Sequence, residues 1–222
     1  MSKILKFGIN ENGRDFVVGD IHGCFTELEN QLDKINFNKE TDRLFSVGDM
    51  VDRGLESERC LEFLGETWFH AVKGNHEQMA IEYFESGSQY DSFSYAFNGG
   101  SWFIEKSKEE QKKYADIFNL LPIAIEVETK NGLIGIVHAD CPTESWSKLD
   151  EALTNEFKDS FENMCLWNRT RIQTRNCMGV KDVFKVYVGH TPVNTVTAFS
   201  NVYCIDTGAV FKGGKLTILQ IN

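Results

Sequence analysis

Phe16-Val17-Val18-Gly19-Asp20-Ile21-His22-Gly23, residues 16–23, sets a short apolar run against a glycine, a carboxylate and an imidazole. The β-branched and aromatic residues favour a strand, and Gly-Asp ends it in a tight turn. Beyond the turn, Phe25, Leu28, Leu32 and Ile35 recur at three- and four-residue spacing, the pattern of one helical face. The same unit follows twice more. Leu44-Phe45-Ser46-Val47 runs into Gly48-Asp49 and a helix over about Ser57 to Leu64; Trp68-Phe69-His70-Ala71-Val72 runs into Gly74-Asn75 and a helix beginning near Glu77. This βαβαβ order predicts a parallel sheet. Its carboxyl edge, where such sheets bind ligands, would carry Asp20, Asp49 and Asn75.

Downstream, residues from about 88 to 119 read as helix and loop. Ile123 to Val127 and Leu133 to Val137 flank a Lys130-Asn131-Gly132 turn and predict a hairpin. Residues 145 to 180 are polar and mixed, with helix favoured over Leu149 to Phe157. Strand patterns return at Phe184 to Val188, Val196 to Phe199, Val202 to Ile205 and Leu216 to Ile221, so the second half is expected to form a mostly antiparallel sheet packed on the first. With no linker, repeat or low-complexity segment, the 222 residues are expected to form one α/β domain spanning 1–222.

Composition narrows the function. A net charge of −10 argues against nucleic acid or anionic membrane as a partner, since both need basic faces. No apolar stretch is long enough for a membrane helix, and Met1-Ser2-Lys3-Ile4-Leu5-Lys6 lacks a signal-peptide core, so a cytoplasmic location is expected. Six cysteines without a CxxC pair indicate neither a disulfide framework nor a thiolate zinc site. A phosphate-bearing substrate would then have to be met by bound metal ions or a few arginines.

The histidines point to the same chemistry. Of the five, His22, His76, His138 and His190 fall at or just past the end of an expected strand, and only His70 lies inside one and reads as core. Asp20 with His22, Asp49 with Asp52 and Arg53, Asn75 with His76, His138 and His190 would converge at one edge. Their oxygen and imidazole donors suit manganese, iron or zinc, and so large a set suits two ions sharing a carboxylate. Helix capping accounts for Asp20, Asp49 or Asn75 one at a time, but not for the histidines or Asp52-Arg53. No CxxxxxR cradle surrounds a cysteine and no GxSxG elbow surrounds Ser101 or Ser145, which argues against a covalent nucleophile.

Gly19-Asp20-Ile21-His22-Gly23, Gly48-Asp49-Met50-Val51-Asp52-Arg53-Gly54 and Gly74-Asn75-His76-Glu77 resemble the three signature blocks of the PPP-type serine/threonine phosphoprotein phosphatases, within the calcineurin-like metallophosphoesterases. The resemblance continues through Val137-His138-Ala139-Asp140, Trp167-Asn168-Arg169, Gly189-His190-Thr191-Pro192 and Ile205-Asp206-Thr207-Gly208-Ala209-Val210. It implies an α/β fold of two packed mixed β-sheets flanked by helices, in α-β-β-α layers. It also implies two metal ions, manganese first with iron or zinc as options, held by Asp20, His22 and Asp49 on one side and by Asp49, Asn75, His138 and His190 on the other. A water bridging the ions would attack the phosphorus of phosphoserine or phosphothreonine in a phosphoprotein substrate. His76, oriented and kept cationic by Asp52, would protonate the leaving oxygen. Arg53 and Arg169 would grip the phosphoryl oxygens.

The pattern departs from the family at Lys73, where an arginine is usual. The resemblance makes Lys73 a third candidate for binding the substrate's phosphate, but lysine keeps the charge and loses the planar fork, and the bland alternative is a solvated cation. Symmetrical diadenosine tetraphosphatases resemble the same first block and give the alternative reading, hydrolysis of dinucleoside polyphosphates. Asp52, Arg53 and Glu77 favour the phosphoprotein reading. Trp102, Phe103, Trp146 and Trp167 are expected to pack or to line a groove, and specificity is expected from segments of about 86–110 and 141–180.

Overall fold

The computed structural model describes residues 3–86 and 89–222; the first two positions, and position 88 at the start of the expected helical middle, lie outside the described residues. The chain runs β1 (Ile4–Phe7), β2 (Asp15–Val18), α1 (Phe25–Lys34), β3 (Arg43–Ser46), α2 (Cys60–Leu64), β4 (Phe69–Ala71) and α3 (Asn75–Ser86). It continues with α4 (Gln89–Phe97), α5 (Ser101–Ile104), α6 (Lys108–Asn119), β5 (Ala124–Thr129), β6 (Gly132–Val137), α7 (Leu149–Ala152), α8 (Lys158–Trp167) and α9 (Thr170–Thr174). Strands β7 (Lys185–Val188), β8 (Thr197–Phe199), β9 (Val202–Cys204) and β10 (Ile218–Gln220) complete it.

Two sheets result, ordered β10-β2-β3-β4 and β1-β5-β6-β7-β9-β8. In the first, β2, β3 and β4 are parallel, as the βαβαβ reading predicts, and β10 closes the edge antiparallel to β2. The expected hairpin forms, with Thr129 opposite Gly132 across Lys130-Asn131. The expectation of a mostly antiparallel second sheet is corrected: β1–β5, β6–β7 and β7–β9 pair in parallel, and only β5–β6 and β8–β9 are antiparallel. Helix α3 starts at Asn75 rather than near Glu77, and the helix expected over 149–157 stops at Ala152, with α8 following from Lys158.

Strand alternation assigns each side chain to a layer. Val17 and Phe45 point between the sheets, where they meet Ile125, Val127, Ile134, Ile136 and Tyr187. Their neighbours Phe16, Val18 and Leu44 point the other way, onto Phe25, Leu28 and Leu32 of α1 and Ala80 and Ile81 of α3. On the outer face of the second sheet, Val186, Val188 and Val202 pack with Leu149 and Cys165 from α7 and α8. The layers are therefore helix, sheet, sheet, helix. The start of α6 shows a local reason for its position: Ser107 Oγ accepts the Glu110 N–H at 3.3 Å, and the Glu110 carboxylate accepts the Ser107 N–H at 3.0 Å, a reciprocal N-terminal cap.

On β6, a Cβ at Gly135 would lie 2.6 Å from the ring of Trp146, which is 1% exposed and donates Nε1–H to Glu126 Oε1 at 2.9 Å. Gly135→Ala should therefore overpack this layer and destabilise the fold by about 1–3 kcal/mol. Calorimetry should show a melting temperature lower by roughly 2–4 °C per kcal/mol for a chain of this size.

Candidate metal centre

The ends of five strands, β2, β3, β4, β6 and β7, meet at one place. The Ile21 and His22 N–H groups both donate to the Asp49 carbonyl, at 3.1 and 2.9 Å, joining the turns after β2 and β3. The Gly189 N–H donates to the His138 carbonyl at 2.7 Å, joining the ends of β6 and β7. Asp20, His22, Asp49, Asn75, His76, His138 and His190 are all buried in the space enclosed. His22, Asp49, Asp52, Arg53 and His190 adopt left-handed backbone, with φ of 45°, 49°, 70°, 68° and 68°. Such conformations are strained for residues with a Cβ, and their concentration here marks a site whose geometry the surrounding fold imposes.

Asp49 sits at the centre. Its Oδ1 accepts the His76 N–H at 3.0 Å and lies 3.3 Å from His138 Nε2, while Oδ2 lies 3.7 Å from His22 Nε2 and 3.8 Å from His76 Nε2. Backbone carbonyls orient two of the rings. His22 Nδ1 bonds Val51 O at 2.8 Å and His138 Nδ1 bonds Val47 O at 2.8 Å, so each ring turns Nε2 toward Asp49. This is how metal-binding imidazoles are commonly held. Asn75 Oδ1 lies 2.8 Å from His138 Nε2 and 2.7 Å from His190 Nδ1, and the Asp20 carboxylate accepts the His190 N–H at 3.0 Å.

Glu77 secures the turns from below: its carboxylate accepts the N–H groups of Asp49, Met50 and Gly74 at 3.0, 2.8 and 2.8 Å. Gly74 permits this approach, because a Cβ there would lie 2.3 Å from the Asp49 nitrogen.

The electrostatics suit cations. Burial pushes the Asp20 carboxyl well up, and the negative charges of Asp206 and Asp49 push it further. Burial also opposes ionisation of Asp49, but His138 and His76 outweigh it and hold that carboxyl well below the usual range. Burial lowers His22 and His190 to about 3, which leaves neutral imidazoles at neutral pH, the form that ligates metal. Two groups of donor atoms each lie within 4.8 Å of one another, His22 with Asp49 and His76, and Asp49 with His138 and His190. They share Asp49, and their oxygen and imidazole chemistry fits two divalent ions. A cleft of about 760 Å³ lies elsewhere, between α1 and residues 214–219, and none of these histidines lines it. Residue chemistry, not cleft size, locates the centre.

Around the donors stand the other residues singled out from sequence. His76 Nδ1 bonds Asp52 Oδ2 at 2.6 Å. Asp52 is fully buried and is further held by Trp102 Nε1 at 2.7 Å and the Tyr95 hydroxyl at 3.1 Å, both on Oδ1. Arg53 Nη1 donates to His22 Nε2, and Arg169 Nε donates to His190 Nε2 at 3.1 Å, so the two guanidinium groups reach different histidines of the cluster. Lys73 behaves differently: it is 5% exposed, not a solvated cation, and its Nζ faces Gln78 Oε1 at 3.5 Å. Burial, and then Lys3, lower its proton affinity. His70 is only half-buried, tilted against Phe7 and Phe45. Cys141 is buried, with burial pushing its thiol up, unlike a nucleophile. Tyr95 was not singled out from sequence, and Trp102 was read as packing or lining a groove and not as a partner of Asp52, because nothing in the pattern reveals where a ring's polar tip points. Asp206 did carry a usable signal: like Asp20 and Asp49, it ends an apolar run, Val202 to Ile205.

Residues 16–213 match the calcineurin-like phosphoesterase family. The chain belongs to that family and is a metallophosphoesterase. It is 39% identical over 212 residues to serine/threonine-protein phosphatase 1 of Salmonella typhimurium, covering 93% of this chain and 91% of that one. A symmetrical bis(5'-nucleosyl)-tetraphosphatase of Haemophilus ducreyi is 44% identical over 64 residues, 28% of this chain and 24% of the relative. A crystal structure of a candidate diadenosine tetraphosphatase superposes with a TM-score of 0.65 at 19% identity, covering 99% and 98% of the two chains. That superposition bears on the fold. Among the described residues, no helix is long and apolar enough to cross a membrane.

Two outcomes follow. Glu77→Gln places an amide N–H₂ against backbone N–H donors, which should destabilise the protein by about 1–3 kcal/mol in a denaturant titration. Metal-stripped His22→Asn should be less acid-sensitive than its parent. His22 takes up a proton in the unfolded chain near 6.5 but in the folded chain only near 3, so stability present above pH 6.5 is lost as pH falls through that window. Between pH 6.5 and 5 the variant should lose about 1–2 kcal/mol less than the parent.

Proposed function

We propose that this phosphoesterase removes phosphate from phosphoserine and phosphothreonine in proteins. The observation that carries the reading is the buried pair of Asp52 and His76, 2.6 Å apart, with His76 Nε2 turned toward the Asp49 centre. A monoester hydrolase must protonate an alkoxide leaving group, and a ring fixed in this way can deliver the proton from Nε2 while Asp52 steadies the charge. Trp102 and Tyr95 hold Asp52 in turn, so the ring has a single orientation. Arg53 and Arg169, one at His22 and the other at His190, would take the phosphoryl oxygens and offset transition-state charge. Lys73, directed at Gln78, is left out of that cradle.

Asp20, His22 and Asp49 would hold one ion, and Asn75, His138 and His190 with Asp49 the second. Manganese suits these donors. The ions would supply Lewis-acid stabilisation and a source of hydroxide at neutral pH. As donor geometry alone His76 could also ligate; we assign it to proton transfer because Asp20 completes the set around His22 without it.

Support for phosphoprotein substrates is the name and near-complete coverage of the Salmonella relative. The tetraphosphatase relative supports the second reading, cleavage of dinucleoside polyphosphates, over a shorter stretch. Manganese-loaded protein should release phosphate from a phosphothreonine peptide far faster than it cleaves diadenosine tetraphosphate; the reverse order would sink the first reading. His76→Asn should lower turnover by roughly 10²- to 10⁴-fold with metal content preserved. Asp49→Asn should lose metal in the same elemental analysis, and equal metal loss in both variants would contradict the assigned roles.

A further inference from the structure

The end of β9 lies against the turn that carries Asp20. A Cβ on Gly19 would sit 2.5 Å from the Ile205 carbonyl oxygen and 3.5 Å from the Asp206 Cα, so this approach requires glycine. The Ile205 N–H donates to Val188 O at 2.8 Å, which sets Asp206 beside the Gly189-His190 turn as well. The Asp206 carbonyl accepts the Val193 N–H at 2.9 Å, and its Oδ1 accepts the Gly208 N–H at 2.9 Å. The residue is 3% exposed. Among the described residues no basic side chain forms an ion pair with it; burial and then the charge of Asp49 oppose its ionisation, its own charge opposes that of Asp20, and the Gly208 N–H, His138 and Arg53 act the other way. A buried carboxylate crowded by two others is unfavourable unless cations share its charge.

The ligand set named above leaves room for that charge. Two divalent ions bring four positive charges, and Asp20 and Asp49 offset only two. Asn75 and the imidazoles of His22, His138 and His190 offset none, and Arg53 and Arg169 add to the excess. We propose that Asp206 is a positioning residue of the metal centre, a third carboxylate behind the Asp20 turn that strengthens retention of the ion there without being one of its ligands. The proposal rests on the reading that this cluster holds two divalent ions.

The test is Asp206→Asn, which keeps the oxygen that accepts the Gly208 N–H and removes the charge. Manganese binding to chelator-stripped protein is measured by titration calorimetry, and melting temperature is recorded with and without manganese. The expected result is binding weaker by roughly 10- to 100-fold, with the melting temperature of the stripped protein no lower than the parent's. Parent-like manganese affinity with a lowered melting temperature would make Asp206 a strut of its own turn and overturn the proposal. So would unchanged manganese affinity with a raised KM for phenyl phosphate, which would place its action on Arg53. Asp206→Ser removes the same charge with a different shape and must show the same loss of affinity; a serine variant with parent-like affinity refutes the idea. If the parent chain itself binds no manganese, the dinuclear reading falls first and this inference with it.

Discussion

Asp49 is a carboxylate with almost no access to solvent, and its burial is the constraint around which the centre is arranged. One oxygen accepts the His76 N–H; both face imidazole nitrogens from three elements far apart in sequence. Such a group is stable in a low-dielectric interior only when positive charge and hydrogen-bond donors converge on it. Convergence requires the turns after β2, β3 and β4 and the ends of β6 and β7 to meet within one or two side-chain lengths. The parallel sheet supplies the first three and the second sheet the other two. The packing of one sheet on the other, through Val17, Phe45, Ile134 and Ile136, therefore holds the two halves of the donor set in register.

Local conformation bears the strain of that arrangement. Left-handed backbone at Asp52 and Arg53 in succession sends one side chain inward to His76 and the other toward His22. Neither direction is available to an ordinary extended turn. The compensation is a dense set of bonds around the strained residues: Glu77 on the Asp49 turn, and Ser57 Oγ accepting the Asp52 N–H at 2.9 Å. Strain of this kind persists only when the surroundings over-determine it, and it makes the centre rigid before any ligand arrives.

Much of this was legible in the sequence, for identifiable reasons. The three Gly-Asp or Gly-Asn turns announce themselves because each ends an apolar run at a residue of the candidate centre, so local pattern and site coincide. Strand direction in the second sheet was not legible. Side-chain alternation is the same in parallel and antiparallel strands, and β6, β7 and β1 find their parallel partners across long excursions. Ile4–Phe7 was too short to stand out and depends on Ala124 to Val127 for its pairing. Helix α8 buries only Cys165 and Leu166, which leaves a weak periodic signal. The burial of Lys73 was not legible, because nothing in its neighbours shows that the chain around Pro122 and Gln78 covers it.

The antiparallel strand β10 has a bearing on how the protein is made. Its segment bonds the very turn that presents Asp20, through the Gly19 N–H and the Thr217 carbonyl at 3.1 Å, and Ile221 returns to Asp15. A nascent chain that has left the ribosome only as far as β9 already contains every donor to the proposed ions, yet lacks the strand that closes their sheet. These contacts of the β10 segment join residues far apart in sequence, the class of contact that forms late because its loop entropy must be overcome first. Assembly of the candidate centre is thus coupled to the arrival of β10: a chain that stops at β9 carries all the donor side chains but not the strand pairing that seats the Asp20 turn.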